Sequence, residues 1–350
     1  MRVLWLGPWL RPLARIHAEQ LQAMGAEVMV ITSALHPESE GERDYEVVLL
    51  GRPIPHVGWL PFFSAYRAAR QFRPDVVVTE FLRDPRWRAF ARLAPRVRFL
   101  HDAAPHDPTH VAPWWNRMFF ERWDAKAFAT IVFSNYVASC ISPIADAEHP
   151  LYVAPLTSDL EARLVPEFVP AEDRRNFLLI GRQKPYKNHG VVFAAWEAHT
   201  QSPSWRGDEL VMFGEGEISQ PLPPHARWND GAYRYSQIVA ELAAAKGSII
   251  HSRAASQSGV HVLSMQLGVP TLVSTAGALP EYQPPGLSVT EIDDVDGLAH
   301  AFDTLADPVQ VDVQATMALK HYRAHYDAEV AARRLLEIFD DVANRARSRD

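Results

Sequence analysis

The sequence predicts an α/β chain of two Rossmann-like domains, each a doubly wound parallel sheet, and three observations predict it. Short apolar runs alternate with stretches of helical apolar spacing along nearly the whole chain. The runs, such as Val3-Leu4-Trp5-Leu6 ended by Gly7-Pro8, suit strands buried on both faces. At 350 residues the chain is long for one packed core, and a charged stretch with two prolines, Leu164 to Asp173, reads as a linker between two sets of alternation.

In order, the strand at Val3 is followed by a helix over Leu13 to Met24, with Leu13, Ile16, Leu21 and Met24 on one face and Gly25 as its stop. Val28 to Ile31 is the next buried strand, which completes a βαβ start. A helix at Phe62 to Phe72 is broken by Arg73-Pro74-Asp75 before the strand Val76-Val77-Val78. A helix around Trp87 to Leu93 leads to the strand Val97 to Leu100, and a longer helix through Trp115 to Phe128 leads to Thr130 to Phe133. The second set has strands at Asn176–Ile180, Leu210–Phe213, Ser248–His251 and Thr271–Ser274. Its helices fall at Val191–His199, Gln237–Ala245, Val260–Leu267 and Val295–Ala306. A last helix carries Ala331, Leu335, Ile338 and Val342 on one face, so it should pack. The expected boundaries are residues 1–165 for the first domain, with a terminal helix over about 326–350 packing back on it, and 166–325 for the second.

A net charge of −7 argues against a nucleic-acid partner, which needs a basic face. The single cysteine, Cys140, excludes an internal disulfide framework and a cysteine-rich zinc site, and fits a reducing compartment. Gly7-Pro8 and the charges at Arg11, Arg15 and Glu19 interrupt the first apolar run too early for a signal peptide. No stretch reaches the roughly 20 apolar residues of a spanning helix.

In open parallel sheets ligands bind beyond the carboxyl ends of the strands. Gly7 to Arg11, Thr79-Glu80, His101-Asp102, Gly181-Arg182, Gly214-Glu215-Gly216, His251-Ser252 and Ser274 to Gly277 occupy such places, and they would line one cleft if the two halves face each other. Gly181-Arg182-Gln183-Lys184-Pro185-Tyr186-Lys187-Asn188 is the most informative stretch, with Arg182 and Lys187 five apart between a strand and a helix. Two cations beside a helix start suit a diphosphate. A solvated basic loop would have the same spacing, and spacing alone leaves both readings open.

The stretch G-R-Q-K-P-Y-K-N resembles that of the retaining glycosyltransferase family four of the GT-B superfamily, in which a strand is followed by G-R-x-x-x-x-K. The resemblance implies a GT-B fold, two Rossmann-like domains facing a central cleft, and transfer of a sugar from a nucleoside diphosphate sugar. By it, Gly181, Arg182 and Lys187 would hold the donor diphosphate, and the two cations would stabilise charge on the departing nucleotide. Phe99-Leu100-His101-Asp102-Ala103-Ala104-Pro105-His106 is similar to the family's strand ending in H-D with P-H after it, which sets His101 against the donor sugar. The turn Ser256-Gln257-Ser258-Gly259-Val260 resembles the family's helix start, where backbone N–H groups touch donor hydroxyls and phosphate. That adds Ser256, Ser258, Gly259 and Val260 to the donor side, with Gly214 close to the nucleotide. Gly7, Arg11, His17, Asp102 and His106 are the acceptor-side candidates. Leu267 to Ser274 and Ala278 to Glu281 resemble the family's following strand and loop.

The chain departs from the family at two glutamates eight apart. A register anchored on Gly268 places Ala255 and Leu263 there, and one anchored on Gly259 places Ser256 and Ser264. The paired glycines that precede the family's first helix are replaced by Leu13-Ala14-Arg15-Ile16-His17. Asp294-Val295-Asp296 imitates a metal-binding D-x-D, but it precedes a helix, where acidic residues stabilise the amino terminus. His261 reads as a helix residue rather than a base, because no G-x-S-x-G elbow surrounds Ser258.

The expected function is therefore metal-independent glycosyl transfer with retention, to an unidentified acceptor, with no bound cofactor. The alternatives are a catalytically silent sugar-nucleotide-binding subunit and a nucleotide-sugar epimerase. The expected location is cytoplasmic. The arginines at 83, 86, 88, 92, 96 and 98 leave peripheral contact with a membrane's inner face open beside a plain solvated surface.

Overall fold

The computed structural model describes residues 1–36, 38, 41–51, 57–82, 84–103, 117–142 and 149–349. They fall into two compact units. The first gathers Met1–Ala103, the described residues up to Pro155 and the carboxyl-terminal segment from Ala328; the second is Leu156–Asp327.

The first unit holds β1 (Arg2–Gly7), β2 (Glu27–Thr32), β3 (Glu46–Val48), β4 (Val76–Thr79), β5 (Arg96–Leu100), β6 (Ala129–Val132) and β7 (Leu151–Val153). They form one parallel sheet in the order β3-β2-β1-β4-β5-β6-β7. Its helices are α1 (Arg11–Ala23), α2 (Trp59–Phe72) and α3 (Asn135–Ile141). The second unit holds β8 (Phe177–Ile180), β9 (Leu210–Phe213), β10 (Ala226–Asn229), β11 (Gly247–Ile250), β12 (Thr271–Ser274) and β13 (Val289–Thr290), also all parallel, in the order β10-β9-β8-β11-β12-β13. Its main helices are α4 (His189–Thr200), α5 (Tyr235–Ala243), α6 (Gly259–Gln266), α7 (Val295–Leu305) and α8 (Pro308–His325). Both sheets share the dinucleotide-fold order, in which the direction of winding reverses beside the first strand of the unit.

Alternation along the central strands explains the double winding. In β8, Phe177 and Leu179 pack with Val192, Trp196, Phe302 and Leu305, while Leu178 and Ile180 pack on the other face with Ile238, Leu242 and Leu263. In β1, Leu4 and Leu6 face Phe62, Ala65, Ala69, Trp87 and Phe90. Each such fully buried aliphatic or aromatic side chain contributes about 1.5–3 kcal/mol. The last helix, α9 (Ala328–Arg347), belongs to the first unit and runs against α1. Its Asp341 accepts from the Tyr152 hydroxyl, and Arg334 Nε donates to Val153 O at 3.3 Å, so it also ties down the edge strand β7.

Three expected elements differ. The helix around Trp87 is a 3-10 run, Pro85–Arg92, capped by Asp84, whose carboxylate accepts from the Arg86 N–H. The long helix through Trp115 to Phe128 lies partly outside the described residues; what is described is a π-type turn, Arg117–Glu121, and a single α turn, Arg122–Asp124. Leu164 to Asp173 is no free linker. Ala171 sits in the core of the second unit, and the buried Arg174 donates to Val169 O at 3.0 Å and Ala245 O at 3.1 Å.

Candidate functional site

In the second unit the sheet reverses its winding beside β8, and the chain leaves that strand through Gly181 to Asn188. Gly181 has a φ of +113°, which turns the chain sharply, and a 3-10 turn at Pro185–Lys187 then feeds α4. Lys187 is folded back under the strand end: its side chain is buried, and Nζ donates to Ile180 O at 3.0 Å. Burial, and then the positive charge of Arg182, push the Lys187 ammonium down to about 8. Arg182 itself is exposed. Asn188, at φ +58°, ends the turn and donates to Ile292 O at 2.6 Å, with His251 Nδ1 at 3.2 Å. The amino terminus of α4 has no side-chain cap, so a partly positive helix end stands beside the two cations.

The loop is held from below. Gln183 Nε2 donates to Gly181 O at 2.8 Å and Phe213 O at 2.9 Å, and its Oε1 lies 2.9 Å from His189 Nε2. Burial, and then the Lys187 charge, hold the His189 imidazole at about 4. Gly214-Glu215-Gly216 lies flat against this turn, with a parallel bridge from Gly216 to Gln183. At Gly214, with φ +122°, a Cβ would lie 2.2 Å from Gly181 O. The glycine-rich turn is therefore the floor that allows two backbones to meet.

The turn before α6 comes from the same carboxyl edge. Ser258 is the cap, its Oγ accepting from the His261 N–H at 3.2 Å. Ser256 is buried, Val260 is half-buried, and a Cβ on the exposed Gly259 would meet no atom within 4 Å. Ala255, Ser256, Leu263 and Ser264 are all buried. Leu263 is part of the core below β8, and Ser264 turns its Oγ back to Val260 O at 2.7 Å. His261 is a core residue, 3.2 Å from both Gln283 Oε1 and Thr271 Oγ1, and Asp294 caps α7 by accepting from Gly297 N–H at 2.8 Å. Among the described residues no three His, Cys, Asp or Glu side chains gather as metal ligands do.

In the first unit the strand ends bring together residues the sequence keeps 21 apart. His101, past β5, has Nε2 at 2.5 Å from Glu80 Oε1, past β4. Trp5 Nε1 donates to the other Glu80 oxygen at 3.4 Å. The imidazole lies between Phe81, stacked at 4.6 Å, and Phe133, tilted at 4.8 Å. A cavity of 290 Å³ opens here, lined by Glu80, Phe81, Arg98, His101 and Asp102 among others. Gly7 ends β1 beside this group, its Cβ position 3.4 Å from Glu80 Oε2. Asp102 is half-buried at the cavity, and His106 lies outside the described residues.

Arg11 and His17 sit in the interior. Arg11, only 2% exposed, and Arg15 both grip Glu46, at 2.7 Å and 2.8 Å. Burial alone would raise the Glu46 carboxyl; the hydrogen bonds from Arg15 and Arg11 outweigh it and hold the group at about 2. His17 is stacked on Trp5 at 5.2 Å, and burial, then the nearby His101, hold it at about 3. Sequence reasoning named Glu80 only among the strand-end residues and gave it no role, although it follows β4 just as His101 follows β5. The pairing of Arg11 and Arg15 with Glu46 had no sequence signal, since β3 is three residues long.

The arginines expected as one basic patch are mostly engaged within the unit. Arg86 pairs with Asp84, Arg96 lies 3.7 Å over the Trp123 ring, and Arg98 is 3.9 Å from Asp124; position 83 lies outside the described residues. No helix among the described residues is long and apolar enough to cross a membrane.

Residues 14–157 match the family model described as Glycosyltransferase Family 4. No curated protein sequence matches the chain. Among solved structures the chain is similar to a sucrose-phosphate synthase from Thermosynechococcus elongatus, with 15% identity, 98% of this chain and 99% of that one covered, and a TM-score of 0.71. It is similar to Anabaena HepE in complex with UDP and glucose, at 15% identity over 97% and 100% of the two chains, TM-score 0.66. A UDP-forming α,α-trehalose-phosphate synthase from Burkholderia xenovorans gives 12% identity over 98% and 99%, TM-score 0.67. With both parallel sheets present and nearly the whole chain covered by these structures, the chain has the GT-B fold, and its first domain is similar to Glycosyltransferase Family 4.

Proposed function

We propose that the chain transfers a sugar from a nucleoside diphosphate sugar, and that the second unit holds the donor diphosphate at Arg182 and Lys187. The observation that carries this reading is the turn after β8: a buried ammonium, an exposed guanidinium and an uncapped helix start at one strand end. Those are three sources of positive potential at one strand end, and a diphosphate is an anion that can use all three. Anabaena HepE, whose structure holds UDP and glucose, supports a uridine donor as the first candidate, with a guanosine donor as the alternative. The turn Ser256 to Val260 offers backbone N–H groups to donor hydroxyls, with Gly259 open to close approach.

On the first unit His101 is the group we assign to the donor sugar. Glu80 fixes its ring through Nε2, and the cavity beside it has room for a small polar ring. Gly7 and Asp102 border that same group. Arg11 and His17 would act through the walls of the site. Metal independence rests on charge neutralisation by Arg182 and Lys187. Retention of configuration is part of the same proposal, as are a cytoplasmic location and peripheral contact with a membrane.

A second reading, a silent donor-binding subunit, is favoured by Ala255, Ser256, Leu263 and Ser264, none of which is a carboxylate. Incubation with UDP- and GDP-sugars, followed for nucleoside diphosphate release and for the anomeric configuration of any product, separates the readings. Release of UDP or GDP supports the transferase. Tight donor binding with no release over hours leaves the subunit.

A further inference from the structure

The helix α2 turns an unusual face to solvent. Its buried side is ordinary, with Phe62, Ala65 and Ala69 in the core of the first unit. Its outer side carries Leu60, 85% exposed, Phe63, 58% exposed, and Trp59, 45% exposed. Trp59 stacks on Phe63 at 5.8 Å, Val57 is exposed just before the helix, and the exposed Leu50 packs against Gly58. Large apolar side chains scattered singly need no explanation, but five in one place mark an interaction surface.

The same face continues into positive charge. Positions 60, 63, 67 and 70 lie on one side of a helix, so Leu60 and Phe63 are followed along it by Arg67 and Arg70. Arg2, Arg67, Arg70 and Arg73 line one groove at the helix end, and Arg86 lies 5.2 Å over the Trp59 ring at the other. From Val47 to Pro74 the sequence has no Asp or Glu, in a chain of net charge −7. Among the described residues, neither Arg67 nor Arg70 has an ion pair. Arg2 and Arg86 are balanced by Asp75 and Asp84, which leaves Arg67 and Arg70 as the charges in line with Leu60 and Phe63. A stripe of Trp, Leu and Phe continued by arginines is the composition that inserts into the headgroup region of an anionic bilayer.

We propose that this face of α2 is a membrane-docking surface, and that its partner is the surface of a bilayer containing anionic phospholipid. Leu60, Phe63 and Trp59 enter the interface, and Arg67 and Arg70 meet the headgroup phosphates. The inference rests on the peripheral contact proposed above, but it relocates that contact from the arginines of residues 83–98 to α2. Because α2 connects the parallel strands β3 and β4 of one sheet, it runs back antiparallel to them. Its apolar end therefore points toward the edge where Glu80 and His101 stand, which presents that edge to an acceptor carried in the membrane.

The test is flotation of the full chain with vesicles of phosphatidylcholine alone and with about 30% phosphatidylglycerol. Donor binding is measured in parallel, so that a failure of docking is distinguishable from a failure of the donor site. The expected result is binding to the anionic vesicles only, weakened on going from about 0.1 M to 0.5 M salt. Arg67→Gln and Arg70→Gln each lower it about fivefold, the equivalent of ~1 kcal/mol. The double variant Leu60→Ser, Phe63→Ser loses it at unchanged donor affinity. Since both side chains are exposed, an unchanged circular dichroism spectrum and melting point show that this variant is folded, and Trp59→Ser is the second variant if it is not. Absence of binding to anionic vesicles overturns the proposal, as does binding indifferent to these substitutions. So does a chain that ignores vesicles but changes from dimer to monomer in Phe63→Ser, which would make the face a contact between copies.

Discussion

Glu80 and His101, at the carboxyl ends of adjacent parallel strands, share a 2.5 Å hydrogen bond with both side chains nearly sealed from solvent. The pair commits the Nε2 of the ring to the carboxylate and so fixes the orientation of the imidazole. Glu80→Gln keeps the shape and removes the charge. The account expects kcat to fall about tenfold or more, ~1.4 kcal/mol of transition-state stabilisation, with donor KM nearly unchanged and a displaced pH–rate profile. Steady-state kinetics across pH checks this; a change in KM alone would assign Glu80 to ground-state binding instead.

With Lys187 holding the donor diphosphate as proposed, donor affinity should depend on pH with a definite sign. The Lys187 ammonium is pushed down to about 8, so the cation is intact below that pH and is lost as pH rises through it. A bound diphosphate favours the charged form, so binding near that pH takes up a proton. Calorimetry in buffers of different ionisation enthalpy should register the uptake, and affinity should decline above about 8. Lys187→Met should be weak and flat across the same range.

Among the described residues, burial holds His17 at about 3, His189 at about 4 and His261 at about 3, each from an ordinary value of 6.5, and it lowers His251 as well. The unfolded chain protonates them first as pH falls. Stability is therefore fully present above 6.5 and drains as pH falls toward these folded values. Each contributes a slope of up to about 1.4 kcal/mol per pH unit. Urea unfolding from about pH 7 to 5 reads the slope, and His17→Phe, which can keep the stack on Trp5, should remove one proton's share.

Two glycines separate backbone strain from close approach. Gly214 and Gly231 both have left-handed φ, at +122° and +114°, but a Cβ on Gly214 lies 2.2 Å from Gly181 O while one on Gly231 meets nothing within 4 Å. Gly214→Ala should cost about 1–3 kcal/mol more than Gly231→Ala in chemical denaturation, and it alone should weaken donor binding.

The central strands and most long helices were legible in the sequence because burial on both faces leaves dense apolar runs. β8, β9 and β12 are such runs, and all their residues are buried. The edge strands were not. β3, β7, β10 and β13 are two to four residues long and mostly half-exposed, so no run forms. The helix α8 was missed because its buried residues, Val311, Ala315, Ala318 and Tyr322, are mostly small. At the site, strand-end position and charge spacing made His101, Arg182 and Lys187 candidates, and the family resemblance gave them their roles. What the spacing could not carry is burial: it gives Arg182 and Lys187 the same standing, whereas one is exposed and the other tucked under Ile180 O. Glu80 stood among the strand-end residues, but its pairing with His101 became visible only once β4 and β5 were known to be neighbours.

The most direct measurement is calorimetric titration of UDP-glucose, with GDP-sugars beside it, into the native chain and into Arg182→Ala. Arg182 is exposed, so its removal should leave the fold intact. The account predicts a Kd at least about tenfold weaker, a loss of ~1.4 kcal/mol or more, for the loss of a charge-assisted phosphate contact. An unchanged Kd in Arg182→Ala would contradict it and move the donor away from the strand end of β8.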